Sequence, residues 1–229
     1  MKTKRFSRIR IHREGTKTLL WSGFAVVSVA LALFWLFDSK LPFWVFVILF
    51  GAIYCIILNF YRCPLRYFNG AREGFVVAPA DGRVIIIEEV DEDCYFHDRR
   101  LKVSIFMSLW NVHANWFPTE GHVVAMRHQD GNWHKAWLPK ASEENERADC
   151  VIETAHGQQV LCRLIAGAVA RRIVTYAHEG EDCYIDQHLG FIKFGSRVDL
   201  FLPLDSELCI RLGQPTTGNQ TVIAKLKTT

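Results

Sequence analysis

Residues 19–37, LLWSGFAVVSVALALFWLF, and residues 43–60, FWVFVILFGAIYCIILNF, are uncharged runs of 19 and 18 residues, separated by Asp38-Ser39-Lys40-Leu41-Pro42. As helices they reach roughly 27–29 Å at about 1.5 Å per residue, close to the ~30 Å hydrocarbon thickness of a bilayer. A single unbroken helix over both would be about twice too long to span. Asp38 and Lys40 at mid-bilayer would each cost roughly 2.5–3.5 kcal/mol. The pattern predicts a membrane helical hairpin, residues 19–60, with its charged turn in water.

The flanks orient it. Residues 1–18 carry Lys2, Lys4, Arg5, Arg8, Arg10, Arg13 and Lys17 against Glu14, a tail of +6. The whole chain is +3, so the other residues sum to −3. Arg62 and Arg66 follow the second run, whereas the turn has only Lys40. The positive-inside rule puts both ends in the cytosol. The basic tail suits anionic lipid head groups, and a folded part that is net acidic argues against a nucleic-acid partner. Trp21, Trp35 and Trp44 lie near span ends, where interfacial aromatics collect. The run is too long for a cleaved signal peptide and lacks a small-residue cleavage site. Seven cysteines (55, 63, 94, 150, 162, 183 and 209) form no C-x-x-C pair, so neither a disulfide framework nor a zinc knuckle fits. Most read as small buried hydrophobes in a reducing compartment.

From about Asn69 the texture changes to short β-rich runs between turn signals. Gly74–Ala78, Arg83–Val90, Leu101–Met107, Gly121–Arg127, Cys150–Thr154 and Val160–Ala166 read as strands. So do Arg171–Ala177, Phe191–Lys193, Arg197–Leu202 and Leu208–Leu212. Lys140–Arg147 is polar and reads as a helical turn or a loop. The fold class is mainly β (α+β): packed antiparallel sheets over residues 69–229, preceded by the hairpin.

Three stretches could carry chemistry: Ala78-Pro79-Ala80-Asp81-Gly82, Phe106 through Asn115 with His113, and Phe194-Gly195-Ser196-Arg197-Val198-Asp199. Singly, the first and third are ordinary turns, and a lone His after a strand is more often structural. Together they resemble the phosphatidylserine decarboxylase proenzymes, in their short form. The resemblance also takes in Ile11-His12-Arg13-Glu14-Gly15, the hairpin, Asn111-Val112-His113 and Ala141-Ser142-Glu143-Glu144-Asn145-Glu146-Arg147. It continues through Ile165-Ala166-Gly167, Ala170-Arg171-Arg172-Ile173 and Leu202-Pro203. Two positions depart from the pattern. Trp116 stands three after His113, where longer relatives carry a second histidine, and Leu109-Trp110 stands where Pro before a smaller residue is expected.

The resemblance implies self-cleavage between Gly195 and Ser196, giving a β chain 1–195 and an α chain 196–229 that remain a heterodimer. Ser196 would attack the Gly195 carbonyl and form an ester. Elimination of the Gly195 carboxylate would leave dehydroalanine, whose imine tautomer takes up water and releases ammonia to become a covalent pyruvoyl group. Gly195, without a side chain, leaves its carbonyl open to attack. The pyruvoyl group would form a Schiff base with the serine amine of phosphatidylserine and accept the electrons left by CO2, the task pyridoxal phosphate performs elsewhere. The product would be phosphatidylethanolamine, made at the cell membrane on its cytoplasmic side, with no pyridoxal phosphate and no metal. A homodimer is a further assembly compatible with the resemblance.

Maturation needs a base near Ser196. His113 is the candidate, because imidazole titrates near working pH. Asp81 would hold the imidazole tautomer, as in a serine-hydrolase triad. His122, His128 and His134 recur every six residues, which suits neither one helix face nor common metal spacings, so they read as surface or substrate-side groups. Arg171-Arg172 could pair with a lipid phosphate or form a solvated edge. Two alternatives stand beside this reading. One is a membrane-anchored, carrier-like β-domain adaptor without activity, suggested by the strand-turn rhythm of Asp182–Gly190. It has no lysine at a hairpin tip and gives Gly195-Ser196 no use. The other is a pyruvoyl decarboxylase for a soluble amino acid, against which the hairpin argues.

Overall fold

The structure, a computed structural model, describes residues 9–131, 145–167, 172–193 and 196–227. Most of the basic tail, residues 140–144 of the polar segment, His134, Ala170, Arg171, Phe194 and Gly195 lie outside the described residues. The chain divides into two compact units, residues 1–65 and 66–229.

In the first unit, α1 (Arg13–Leu36) and α2 (Leu41–Phe60) form the expected hairpin. Helix α1 starts six residues before the apolar run, because His12 caps it and accepts from the Glu14 amide. Pro42 in the first turn of α2 gives up an amide that has no helical partner there. Between the helices, Lys40 Nζ donates to the Phe34 and Phe37 carbonyls at 2.5 and 3.0 Å, satisfying acceptors that the end of α1 leaves open. Tyr54 donates to the Leu19 carbonyl, and Phe34 meets Phe43 edge-on near the turn. Large apolar side chains such as Trp21, Trp35 and Ile48 face outward, as a lipid-facing hairpin requires. At the open end β1 (Ile9–Ile11) pairs antiparallel with β2 (Arg62–Pro64), so both ends of the hairpin emerge side by side.

The second unit is antiparallel throughout. Its strands are β3 (Phe75–Val77), β4 (Gly82–Glu92), β5 (Asp98–Met107), β6 (Ala114–Trp116), β7 (Gly121–Gln129), β8 (Arg147–Glu153) and β9 (Gln159–Ile165). They continue with β10 (Ile173–Thr175), β11 (Asp182–Cys183), β12 (His188–Ile192), β13 (Ser196–Leu202), β14 (Glu207–Leu208), β15 (Pro215–Thr216) and β16 (Val222–Lys225). Among the described residues, one sheet of eight strands runs β11-β7-β8-β9-β13-β5-β4-β15. Two sheets of three, β10-β12-β6 and β14-β16-β3, complete the unit.

Strand β13 sits in the middle of the large sheet, laddered to β5 on one side and β9 on the other. Val198, Leu200 and Leu202 join Cys150, Cys162, Leu164 and Ile105 in one apolar core. Burial of these side chains supplies roughly 1.5–3 kcal/mol each. Burial also pushes the Cys150 and Cys162 thiols up, and that of Cys183 to about 12, so these three are packing groups. Cys55, Cys94 and Cys209 are exposed and free.

Two expected strands are shorter than the sequence suggests. Leu208–Leu212 is a strand only over Glu207–Leu208, because Arg211 to Gln214 turn back on themselves and Gly213 takes a positive φ. Of Arg171–Ala177, residues 173–175 form the strand β10.

Candidate active site

Strand alternation decides where Ser196 points. It opens β13 opposite Met107, the last residue of β5, and shares the core-facing parity of Val198. Ser196 is fully buried, and its hydroxyl donates to Met107 Sδ at 3.1 Å. Met107 Sδ is also 3.7 Å from Asn115 Nδ2. A thioether is a weak acceptor, so the hydroxyl is seated without being locked.

His113 is fully buried just before β6. Its Nδ1 lies 3.0 Å from the Asn111 carbonyl oxygen. That oxygen can only accept, so Nδ1 carries a proton, which leaves Nε2 as the ring nitrogen that can exchange one. The His113 carbonyl accepts from the Ile192 amide at 3.4 Å, which ties the site to β12, three residues ahead of Gly195.

Asp81 is placed differently from the sequence expectation. Its described partners are the Arg66 guanidinium, through both carboxylate oxygens, and the Gly218 amide at 2.8 Å, and not the His113 ring. The imidazole tautomer is instead set by a backbone carbonyl, that of Asn111. Asp81 lies beside the site through the chain: Trp116 N donates to the Pro79 carbonyl at 2.9 Å, and Arg66 lies over the Trp116 ring at 5.3 Å. Trp116 thus fills the position three after His113 as a buried packing group. Two glycines are required by this close packing. A Cβ on Gly82 would lie 2.2 Å from the Phe106 carbonyl oxygen, and one on Gly218 would lie 2.6 Å from the Trp116 ring.

Asn115 ends the Phe106–Asn115 stretch, where no role was assigned to it. It is fully buried on β6, and its Oδ1 has no hydrogen-bond partner among the described residues. An unpaired buried amide oxygen costs roughly 1–3 kcal/mol, which marks it as an acceptor held ready. No motif advertises a single Asn. The only available signal was its spacing of two from His113, which gives both residues one parity.

Beyond this cluster, His122 pairs with Asp182 at 3.1 Å at the surface, and the exposed His128 reaches the buried Glu146 at 3.3 Å. Asp186 holds the Phe68 amide, Asn219 and Arg72. Desolvation pushes its pKa up, but these hydrogen bonds and Arg72 outweigh it and leave the pKa lowered.

Comparison with known proteins gives one family. The family model described as phosphatidylserine decarboxylase matches residues 54–224. A phosphatidylserine decarboxylase proenzyme of Bacteroides thetaiotaomicron is 60% identical over 225 residues, covering 98% of each chain. That of Bacteroides fragilis is 59% identical over 224 residues, again 98% of each. That of Porphyromonas gingivalis is 47% identical over 219 residues, 95% of this chain and 99% of the relative.

Proposed function

Since the chain belongs to the phosphatidylserine decarboxylase family and turns phosphatidylserine into phosphatidylethanolamine and CO2, we propose that it builds its pyruvoyl group from Ser196 by cutting its own Gly195–Ser196 bond. The observation that carries this is the seat of Ser196: fully buried, first in the central strand, and directly after Gly195. The adaptor reading gives way to the family, and a lipid substrate gives the hairpin its use.

His113 Nε2, left as the basic nitrogen by the Asn111 carbonyl, takes the proton of the Ser196 hydroxyl as oxygen attacks the Gly195 carbonyl. Met107 releases that hydroxyl at little cost. The two products stay together because β13 is held on both edges, while β15 pairs with β4 and β16 with β3. Asp81 adds to this clasp. It belongs to chain 1–195 and grips Gly218 of chain 196–229, with Arg66 neutralising its charge. Its proposed part is to position the 79–82 turn against β6, one step removed from the imidazole.

The surroundings of residue 196 suit a ketone there: a fully buried position, with Asn115 Oδ1 ready to accept from the substrate's amine. A pyruvoyl carbonyl supplies the electron sink that side chains lack. The part read for His113 is then to return a proton to the carbon that has lost CO2. The hairpin keeps the enzyme at its substrate. The β1–β2 ladder supports both ends on one side, and the basic tail supports the cytoplasmic side.

Intact-mass measurement of purified protein tests the proposal. The expected result is two chains, 1–195 and 196–229, the smaller with a blocked, ketone-bearing N-terminus. Ser196→Ala should run as one uncut, inactive chain. A wild-type chain that decarboxylates while uncut would overturn the proposal.

A further inference from the structure

Between Met107 and His113 the chain makes a tight turn. Ser108 donates twice to Asn111 Oδ1, from its amide at 2.8 Å and its hydroxyl at 2.7 Å, and the Asn111 amide returns to the Ser108 carbonyl at 3.0 Å. These bonds hold the tip, Leu109-Trp110, out toward solvent. Leu109 is 37% exposed and Trp110 is 62% exposed, whereas Trp116, a few residues on, is 1% exposed. An indole held out from such a turn exposes a large apolar ring to water, and that ring is suited to the head-group layer of a bilayer.

The charges beside the turn fit the same surface. The Ile192 amide donates to the His113 carbonyl, so Lys193 stands one residue beyond that contact, and the Lys193 amide donates to the Arg172 carbonyl at 3.3 Å. Arg172 is exposed and Lys193 partly so. An apolar tip and two cations therefore share the end of the sheet where β13 begins.

We propose that the Leu109-Trp110 turn dips into the head-group layer of the membrane and seats the mouth of the active site on the bilayer, with Arg172 and Lys193 against anionic head groups. The proposal rests on the decarboxylase reading. A diacyl lipid must bring its head group to a buried residue 196 while its acyl chains stay in the bilayer. The surface around the entrance must then meet the bilayer, and phosphatidylserine is itself anionic. The hairpin brings the enzyme to the membrane; the turn sets how the mouth meets it.

The test uses mature full-length enzyme and two substrates: vesicles of phosphatidylcholine with phosphatidylserine, and short-chain phosphatidylserine dissolved as monomer. Leu109→Ser with Trp110→Ser should lose about tenfold in rate on vesicles, yet stay within about twofold of wild type on monomer, because only the bilayer step uses the turn. Trp110→Tyr should restore most of the vesicle rate. Arg172→Gln with Lys193→Gln should flatten the response to added anionic lipid. The mass of chain 196–229 confirms that each variant has matured. Unchanged vesicle rates would overturn the proposal, as would an equal loss on both substrates, which would make the turn part of the chemical site. A wild-type enzyme inactive on both substrates would instead sink the decarboxylase reading.

Discussion

On one side of β13, Ser196, Val198, Leu200 and Leu202 point into an apolar core; on the other, Arg197 and Asp199 lie in a buried field of charge, and Phe201 joins a smaller apolar cluster with Ala125, Val151 and Leu161. The charged side is rich in ion pairs. Arg197 and Asp199, both fully buried, share a bidentate bridge at 2.6 and 2.7 Å. Across the sheet, Arg163 stands opposite Asp199 and binds Asp149 and Glu92. Desolvation works against the Arg163 charge, but the Asp149 and Glu92 carboxylates hold its pKa above the usual value. A shift of one residue in strand register would exchange the two sides. The comparison shows how one strand can seat a buried hydroxyl among apolar groups on one face and ion pairs on the other.

That division is most sharply tested at His113, on the apolar side. His113→Asn keeps a donor for the Asn111 carbonyl but removes Nε2. Self-cleavage and decarboxylation should slow by about 10²–10⁴, the usual worth of a positioned base, with thermal stability nearly unchanged. Cleavage at wild-type speed, timed by the appearance of chain 196–229, would break the comparison by moving the base elsewhere.

The apolar side was largely legible in sequence, for physical reasons. Two long uncharged runs around Asp38 and Lys40 leave few alternatives to a hairpin, since mid-bilayer charges are costly. Val198, Leu200 and Leu202 alternate with the charged residues, which fixes β13 to within a residue. What was not legible lies in contacts between distant residues. Asp81 meets Gly218 137 positions away, so its carboxylate could be read as an imidazole partner until the Arg66 and Gly218 contacts were seen. Ala114–Trp116 is too short to show a period, which hid both β6 and Asn115. Leu208–Leu212 has a strand's composition, but its end is turned by the Arg211–Gln214 hydrogen bond.

The charged side should govern stability and leave the chemistry alone. Asp199→Ala removes the bidentate carboxylate from a buried guanidinium and should cost about 3–5 kcal/mol. Arg197→Met with Asp199→Leu removes both charges and should recover most of that loss. Thermal unfolding in detergent reads both variants. A double variant as unstable as the single would mean that the pair does more than neutralise itself.

The smallest effect belongs to Glu92, where the same face meets a turn. Its carboxylate accepts from the Cys94, Tyr95 and Phe96 amides at 3.3, 2.8 and 2.9 Å and from Arg163 at 3.1 Å. Desolvation pushes its pKa up, but the three amides and Arg163 outweigh it and hold it below the ordinary 4.5. With a lowered folded pKa, the contribution to stability is fully present above the unfolded value and fades as pH falls through the folded one. Glu92→Gln should therefore be less stable than wild type by about 1–3 kcal/mol at pH 7, and the gap should close as the pH drops below about 4. A gap that stays constant from pH 7 to pH 3.5 would show that a second acceptor oxygen, and not the carboxylate's charge, holds the 92–97 turn. The two sides of β13 would then differ less in electrostatics than their composition implies.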